Sequence, residues 1–285
     1  MPAGPAIAEP TEVLLCGDWH GNTRWATSVI DMVPEFIPEG PRILLQLGDF
    51  GIWPGRFGED YLEGVTEALR EADAHLWFVD GNHEDHSRLY QLRQTRAGTD
   101  RYTAPYEITE RITWLPRGYR WRWHDRLWLA LGGATSVDRT LRTVGVDWWA
   151  GEALTYEDVT AARVGGQVDV MVTHDCPDGV PGALRHGNEV VPAWWELGPA
   201  IEHRRVLRAV VNDVRPEWLF HGHFHHYHDS LVDFGYGKLR VMGLDCDGVL
   251  TGNSVLLNIK TMQITNPWGN SAAMWAARRR QKEPR

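Results

Sequence analysis

The chain has 285 residues, 43% of them hydrophobic and 24% charged, with a formal net charge of −9. That length holds one large domain or two small ones, and the composition excludes wholesale disorder. The acidic balance argues against an extended nucleic-acid footprint, and with no run of about 18 apolar residues no membrane-spanning helix is expected.

In chain order, "EVLLCGDWHGN" gives a buried strand from Val13 to Cys16 that stops at Gly17. Asn22 or Thr23 then caps a helix carrying Trp25, Val29 and Ile30 on one side. "RILLQLGDFG" is a second strand through Leu47, and residues 59–74 set Leu62, Val65, Leu69 and Ala72 at helical spacing. "HLWFVDGNHED" is a third strand, ending near Asp80. Residues 111–135 and 238–258 read as strands joined by tight turns, expected as hairpins of a second sheet. Thr155 with Asp158 resembles a capping box for a short helix. "VDVMVTHDCPDG" is a fourth strand ending at Thr173, Ile201 to Val211 a helix, and "EWLFHGHFHH" a fifth strand ending at about Phe220. Apolar runs of this length suit strands buried on both faces, and their alternation with helices gives an α/β class. Residues 136–153 and 177–195 are Gly-, Pro- and Trp-rich loops long enough to overhang a site.

Other features carry less. Cys16, Cys176 and Cys246 form no Cys-x-x-Cys pair, which suits buried thiols in a reducing, cytoplasmic setting; Cys176 stands apart because it lies two residues from His174. "MPAGPAIAEPTE" lacks the basic and apolar regions of a signal peptide. The "RRRQKEPR" end reads as a solvated tail, and most of the fifteen tryptophans as core residues.

The chemistry gathers at the strand ends. The first strand delivers Asp18 and His20, the second Asp49, the third Asn82 and His83, the fourth His174, and the fifth His223 and His225. Ligands of α/β sheets bind at the carboxyl ends of strands. Each residue alone has a plainer reading: Asp18, Asp49 and Asn82 as turn formers beside glycine, His174 as a core histidine, "GHFH" as an exposed loop. Five such coincidences at five strand ends are hard to sustain. Without His83 there are two carboxylates, one amide oxygen and four imidazoles. That mixed oxygen and nitrogen set suits transition ions and not Ca²⁺, and is about right for two ions sharing a carboxylate.

"GDWHG" at 17–21, "GDFG" at 48–51, "GNHE" at 81–84, "TH" at 173–174 and "GHFH" at 222–225 resemble the five ordered blocks of the calcineurin-like metallophosphoesterase family. "LALGGA" at 129–134 resembles a strand common there. The resemblance implies a four-layer αββα sandwich with two mixed sheets, over a single domain at 12–258 with extensions at 1–11 and 259–285. It implies two divalent ions, Mn²⁺ first among Fe, Zn, Co and Ni. One would be held by Asp18, His20, Asp49 and His225, the other by Asp49, Asn82, His174 and His223. His83 would be the catalytic group at the leaving oxygen, with Asn82 and His83 facing substrate, while a shared water deprotonated by the ions attacks phosphorus in line. His221, His226 and His228 are left unassigned, the last two read as solvated.

The chain departs from the family at its second block. Protein phosphatases and diadenosine tetraphosphatases continue Gly-Asp-x-x-Asp-Arg-Gly, whereas here the block is "GDFGIWP", with Ile52 and Trp53 in those places. Asp80 and Asp85 are candidates to orient His83; Arg56, Arg88, Arg117 and Arg139 are candidates to grip phosphate; Trp19 either walls the pocket or packs in the core. The expected function is a dinuclear phosphodiesterase for small nucleotides such as 2′,3′-cyclic forms. The alternatives are a phosphomonoesterase or protein phosphatase, a nuclease, and a metal-bound scaffold without catalysis.

Overall fold

A computed structural model describes residues 8–183 and 194–269. Its strands are β1 (Glu12–Cys16), β2 (Arg42–Gln46), β3 (Ala74–Phe78), β4 (Tyr106–Thr109), β5 (Ile112–Trp114), β6 (Arg120–Trp123), β7 (Arg126–Leu131), β8 (Val170–Thr173), β9 (Trp218–His221), β10 (His228–Asp233), β11 (Lys238–Gly243), β12 (Ser254–Asn258) and β13 (Ile264–Thr265). The helices are α1 (Thr23–Ile30), α2 (Val33–Phe36), α3 (Gly55–Glu71), α4 (His86–Gln94), α5 (Asp100–Thr103), α6 (Tyr156–Arg163) and α7 (Trp194–Val214).

Two mixed sheets result. The first has the order β13-β12-β1-β2-β3-β5-β4, with β1, β2, β3 and β5 parallel. The second has the order β10-β11-β9-β8-β7-β6, with β11, β9, β8 and β7 parallel. Side-chain alternation along each strand sorts the core into layers. Leu14, Leu44, Leu76 and Phe78 face outward to Ala26, Val29, Leu62, Val65 and Leu69 of α1 and α3. Val13, Leu15, Ile43, Leu45 and Trp77 face inward, against Trp128, Ala130, Val172, Phe220 and Met242 of the second sheet. On that sheet's far side Leu129, Met171 and Leu219 meet Val210, Val211 and Val214 of α7. The expected four-layer αββα sandwich is therefore present. The tryptophans bear out their core reading: Trp77, Trp121, Trp123 and Trp128 pack ring against ring between the sheets.

Local signals act as expected at the helix starts. Asn22 caps α1 by accepting the Trp25 N–H, and Thr155 and Asp158 close a reciprocal capping box on α6. The hairpin reading holds in part. β6 and β7 form a hairpin of the second sheet, but β5 joins the first, and β11 and β12 belong to different sheets. Hydrophobic alternation specifies a half-buried strand without saying which sheet receives it; residues 244–253 cross from one sheet to the other. Part of the 177–195 loop and the basic C-terminal tail lie outside the described residues.

Candidate metal centre

The parallel cores of both sheets aim their carboxyl ends at one edge, and the loops leaving β1, β2, β3, β8 and β9 meet there. Backbone bonds brace them: the Trp19 and His20 N–H groups donate to the Asp49 carbonyl, and the Gly222 N–H to that of His174. Close approach dictates two glycines. A Cβ on Gly81 would collide with the Asp49 carboxylate, and one on Gly222 with the Asp18 carboxylate. His20, Asp49, His223 and His225 all hold positive φ, between 48° and 70°. Left-handed backbone at non-glycine residues costs energy and concentrates where side chains are aimed for function.

Asp18 and Asp49 are fully buried. Asp49 Oδ2 lies 3.4 Å from His174 Nε2, 3.5 Å from His20 Nε2 and 3.9 Å from His83 Nε2. Asp18 Oδ2 lies 3.1 Å from His225 Nε2, and its carboxylate accepts the His223 N–H. The side chains form two groups of candidate ligand atoms, Asp18, His20, Asp49 and His225 in one and Asp49, His174 and His223 in the other, with Asp49 common to both. Asn82 joins the second group, its Oδ1 3.1 Å from His174 Nε2. All seven residues named for metal from the sequence are thus brought together, and His83 stands beside them.

The donor set fits cations. His174 Nδ1 donates to the Leu47 carbonyl at 2.8 Å and His20 Nδ1 to Asp247 at 2.8 Å, which turns each Nε2 toward the carboxylates, where it can carry a proton or ligate a cation. A second acceptor behind a ligating imidazole fixes its tautomer and raises its basicity. Burial works against the Asp49 carboxylate, yet the imidazoles around it, His174 foremost, hold it well below the usual range. Burial also opposes charge on His20 and His174, but the surrounding carboxylates push them up to about 11 and about 10. Buried carboxylates here draw positive charge, which protons or metal ions can supply.

Several contributors were not legible in the sequence. Asp247, behind His20, also accepts from Asn22 Nδ2 at 2.7 Å. Ser136 accepts from Asn82 Nδ2 at 3.1 Å and donates to Glu152, which turns the Asn82 oxygen toward the centre. Buried Glu84 accepts the Phe50 and Gly81 N–H groups, both at 2.6 Å, tying the second and third loops together; burial, with Asp49 near, pushes its carboxyl up to about 8.

The substrate side brings corrections. Neither Asp80 nor Asp85 bonds to His83: Asp80 accepts from Trp114 and Arg117, and Asp85 caps α4. Arg142 instead reaches His83, Nη2 to Nε2 at 3.1 Å, while Asp138 holds its guanidinium through two bonds of 2.7 and 2.6 Å. Arg56 is an exposed partner of Asp60, Arg117 is buried against Asp80 and Asp158, Arg139 stacks over Trp148, and Arg88 sits on α4 beside exposed Glu59 and Glu63. The 136–153 loop does overhang the site, but its 3₁₀ turn at Arg139–Leu141 turns Arg142 inward rather than Arg139. Trp19 is fully buried against Phe50 and walls no pocket. His226 is buried, both ring nitrogens facing backbone carbonyls, so it is not a solvated residue; His228 is half-buried and meets His221.

Comparison with known proteins agrees with this geometry. The family model described as calcineurin-like phosphoesterase matches residues 11–227. Among solved structures the chain is similar to a dimetal phosphatase from Danio rerio, at 12% identity over 88% of this chain and 93% of that one, with a TM-score of 0.50. It is also similar to a phosphatase from Mycoplasma pneumoniae, at 9% identity over 91% and 92%, with a TM-score of 0.41. The first likeness supports the fold alone and the second is too distant to argue from. No curated protein matches the sequence. Among the described residues no helix is long and apolar enough to cross a membrane.

Proposed function

Because the chain belongs to the calcineurin-like phosphoesterase family, a family of hydrolases acting on phosphoester bonds, we propose that it is a phosphodiesterase for small nucleotides, 2′,3′-cyclic forms among them. Residues 12–258 are its catalytic unit. One ion would be held by Asp18, His20, Asp49 and His225, and the other by Asp49, Asn82, His174 and His223, with Mn²⁺ the expected metal. Bound there, two such ions would supply Lewis acidity and an acidified water as nucleophile. The chain's own side chains do the rest. His83 stands over the shared carboxylate of Asp49, its Nε2 accepting from Arg142, and once that nitrogen takes up a proton from solvent it donates it to the leaving oxygen. Asn82, turned by Ser136, presents its oxygen to the centre and its edge to the substrate.

The observation that carries the diester reading is the state of Arg142. It comes already paired through two bonds with Asp138. The loop therefore adds oriented N–H donors beside His83 without adding net charge. A phosphomonoester, with nearly two negative charges, calls for more fixed positive charge than a diester with one. Trp53, where related enzymes place an arginine, rests against Gly21 beside His20 and adds no charge. A nucleoside substrate also brings an aromatic base; buried Trp19 offers it no stacking face, whereas Trp53 is half-buried and could offer one worth about 1–3 kcal/mol.

Arg142 also favours a second reading. Should substrate draw it away from Asp138, its fork would grip a terminal phosphate and favour monoesters. The test is kcat/KM for bis-(p-nitrophenyl) phosphate against p-nitrophenyl phosphate at matched metal and pH, for the wild type and Arg142→Ala. Preference for the diester in the wild type is expected. A monoester preference that Arg142→Ala abolishes would promote the second reading.

A further inference from the structure

Three side chains outside the groups above converge beneath the loops of the second sheet. Cys176 lies in the loop after β8, His221 ends β9, and His228 opens β10. Their Sγ and ring nitrogens lie within 4.8 Å of one another. Cys176 and His221 are fully buried and His228 is half-buried. Gly243 makes the space, since a Cβ there would stand 2.7 Å from His228 Nε2 and 2.8 Å from His221 Cε1.

The hydrogen bonds around the two imidazoles leave a contradiction that a cation resolves. The rings meet Nε2 to Nε2 at 2.8 Å. His221 Nδ1 faces the Gly222 carbonyl at 2.9 Å, so that nitrogen carries the proton and donates. In the neutral ring the Nε2 then bears a lone pair. His228 Nδ1 lies 3.2 Å from Ser230 Oγ, whose hydroxyl donates to the Pro181 carbonyl at 3.0 Å. With its one hydrogen used, Ser230 accepts, and His228 Nδ1 also carries a proton. Two lone pairs therefore face each other across a hydrogen-bond distance inside the protein. A ring flip to relieve them would sacrifice an outer bond. One extra proton on His228 or a metal ion beside the two nitrogens would satisfy both rings; burial, with His226 adding to it, pushes the His228 pKa down to about 4, so near neutral pH the metal ion is the solution left. An imidazole that donates its other N–H to an oxygen acceptor is the usual form of a metal-ligating histidine. The Cys176 sulfur completes a third donor. His226 does not join, because both its nitrogens face carbonyls, of Phe224 and Gly182.

We propose that Cys176, His221 and His228 form a third metal site, distinct from the carboxylate-bridged pair, for a thiophilic divalent ion such as Zn²⁺. Zinc distances set donor separations of about 3.3–3.6 Å in a tetrahedron, so the imidazoles would part by about 0.5 Å and the sulfur, within 4.8 Å of them, would close by up to about 1.2 Å. Binding releases the Cys176 proton and leaves a fourth position open on the half-buried His228 side. The ion would clamp the loop after His174 to the 221–228 segment that carries His223 and His225, and so brace the dinuclear centre from behind.

The probe is Co²⁺ added to the chelator-stripped full chain. The carboxylate-bridged pair contains no sulfur and yields only weak visible bands. A Cys176-bound cobalt adds an intense thiolate-to-metal charge-transfer band in the near ultraviolet. The band is expected in the wild type, bleached by Zn²⁺, and lost in both Cys176→Ser and His228→Ala; His228 is half-buried, so that second variant tests the site even where the first fails to fold. A wild-type protein saturated with Co²⁺ that shows no such band, or a folded Cys176→Ser or His228→Ala protein that keeps it, would overturn the proposal.

Discussion

Replacing Asp247 with alanine is expected to weaken one ion of the pair and spare the other. Its Oδ1 accepts from His20 Nδ1 at 2.8 Å, the bond through which it acts on the centre. The carboxylate holds the ring so that Nε2 faces Asp49 and Asp18, and it increases that nitrogen's basicity. Acceptors of this kind contribute about 10–100-fold to metal affinity, or about 1.4–2.7 kcal/mol. His20 and Asp247 are each about a quarter exposed, so water replaces part of the lost bond and the lower half of that range applies. Asp247→Asn keeps an acceptor oxygen and loses the charge, so its effect should be smaller. The assay is calorimetric titration of stripped protein with Mn²⁺. Asn22→Ser is the control, because it removes the other bond to Asp247 while retaining a capping oxygen for α1. An isotherm unchanged in Asp247→Ala, or two sites weakened equally, would refute the role given to this residue.

The remaining perturbations probe other parts of the site. His83→Ala should retain both ions and lower kcat by about 10²–10⁴-fold; release of metal by this variant would show His83 to be a ligand. Asp49→Ala should lose metal and turnover together, checked by metal analysis of the purified variant. His86 supplies a pH dependence: burial, with Arg117 adding to it, pushes its pKa down to about 4, and its Nε2 donates to the Gly81 carbonyl. The folded value lies below the unfolded one near 6.5, so the native state favours the neutral ring. That stability is fully present above about pH 6.5 and is lost as pH falls through about 4, a total of at most about 3 kcal/mol. His86→Gln keeps a donor that does not titrate, so its Tm should fall less steeply over this range than the wild type's; parallel curves would contradict the assignment.

The strand ends were readable because each candidate ligand directly succeeds an apolar run, and parallel strands deliver the residues after them to a common edge. Asp18, Asp49, Asn82, His174 and His223 need no knowledge of distant sequence. Asp247 is different. It meets His20 across 227 positions, from a loop whose path depends on β11 and β12 entering different sheets. Arg142 was missed by three residues, since Arg139 comes from the same loop and a single 3₁₀ turn decides which of the two points inward. The histidine-rich segment misled for a related reason. Polar sequence suggests solvent, yet His226 is covered because Gly182, 44 positions earlier, folds over it.

The most direct measurement is hydrolysis of bis-(p-nitrophenyl) phosphate by the chelator-stripped protein, repeated as Mn²⁺ is returned. Mn²⁺ favours the carboxylate and imidazole groups over a thiolate site, so it reports on the paired centre. Turnover should be absent without metal and return as two Mn²⁺ bind per chain, with Ca²⁺ failing to replace them. Full activity in protein shown to be metal-free would contradict the two-ion centre.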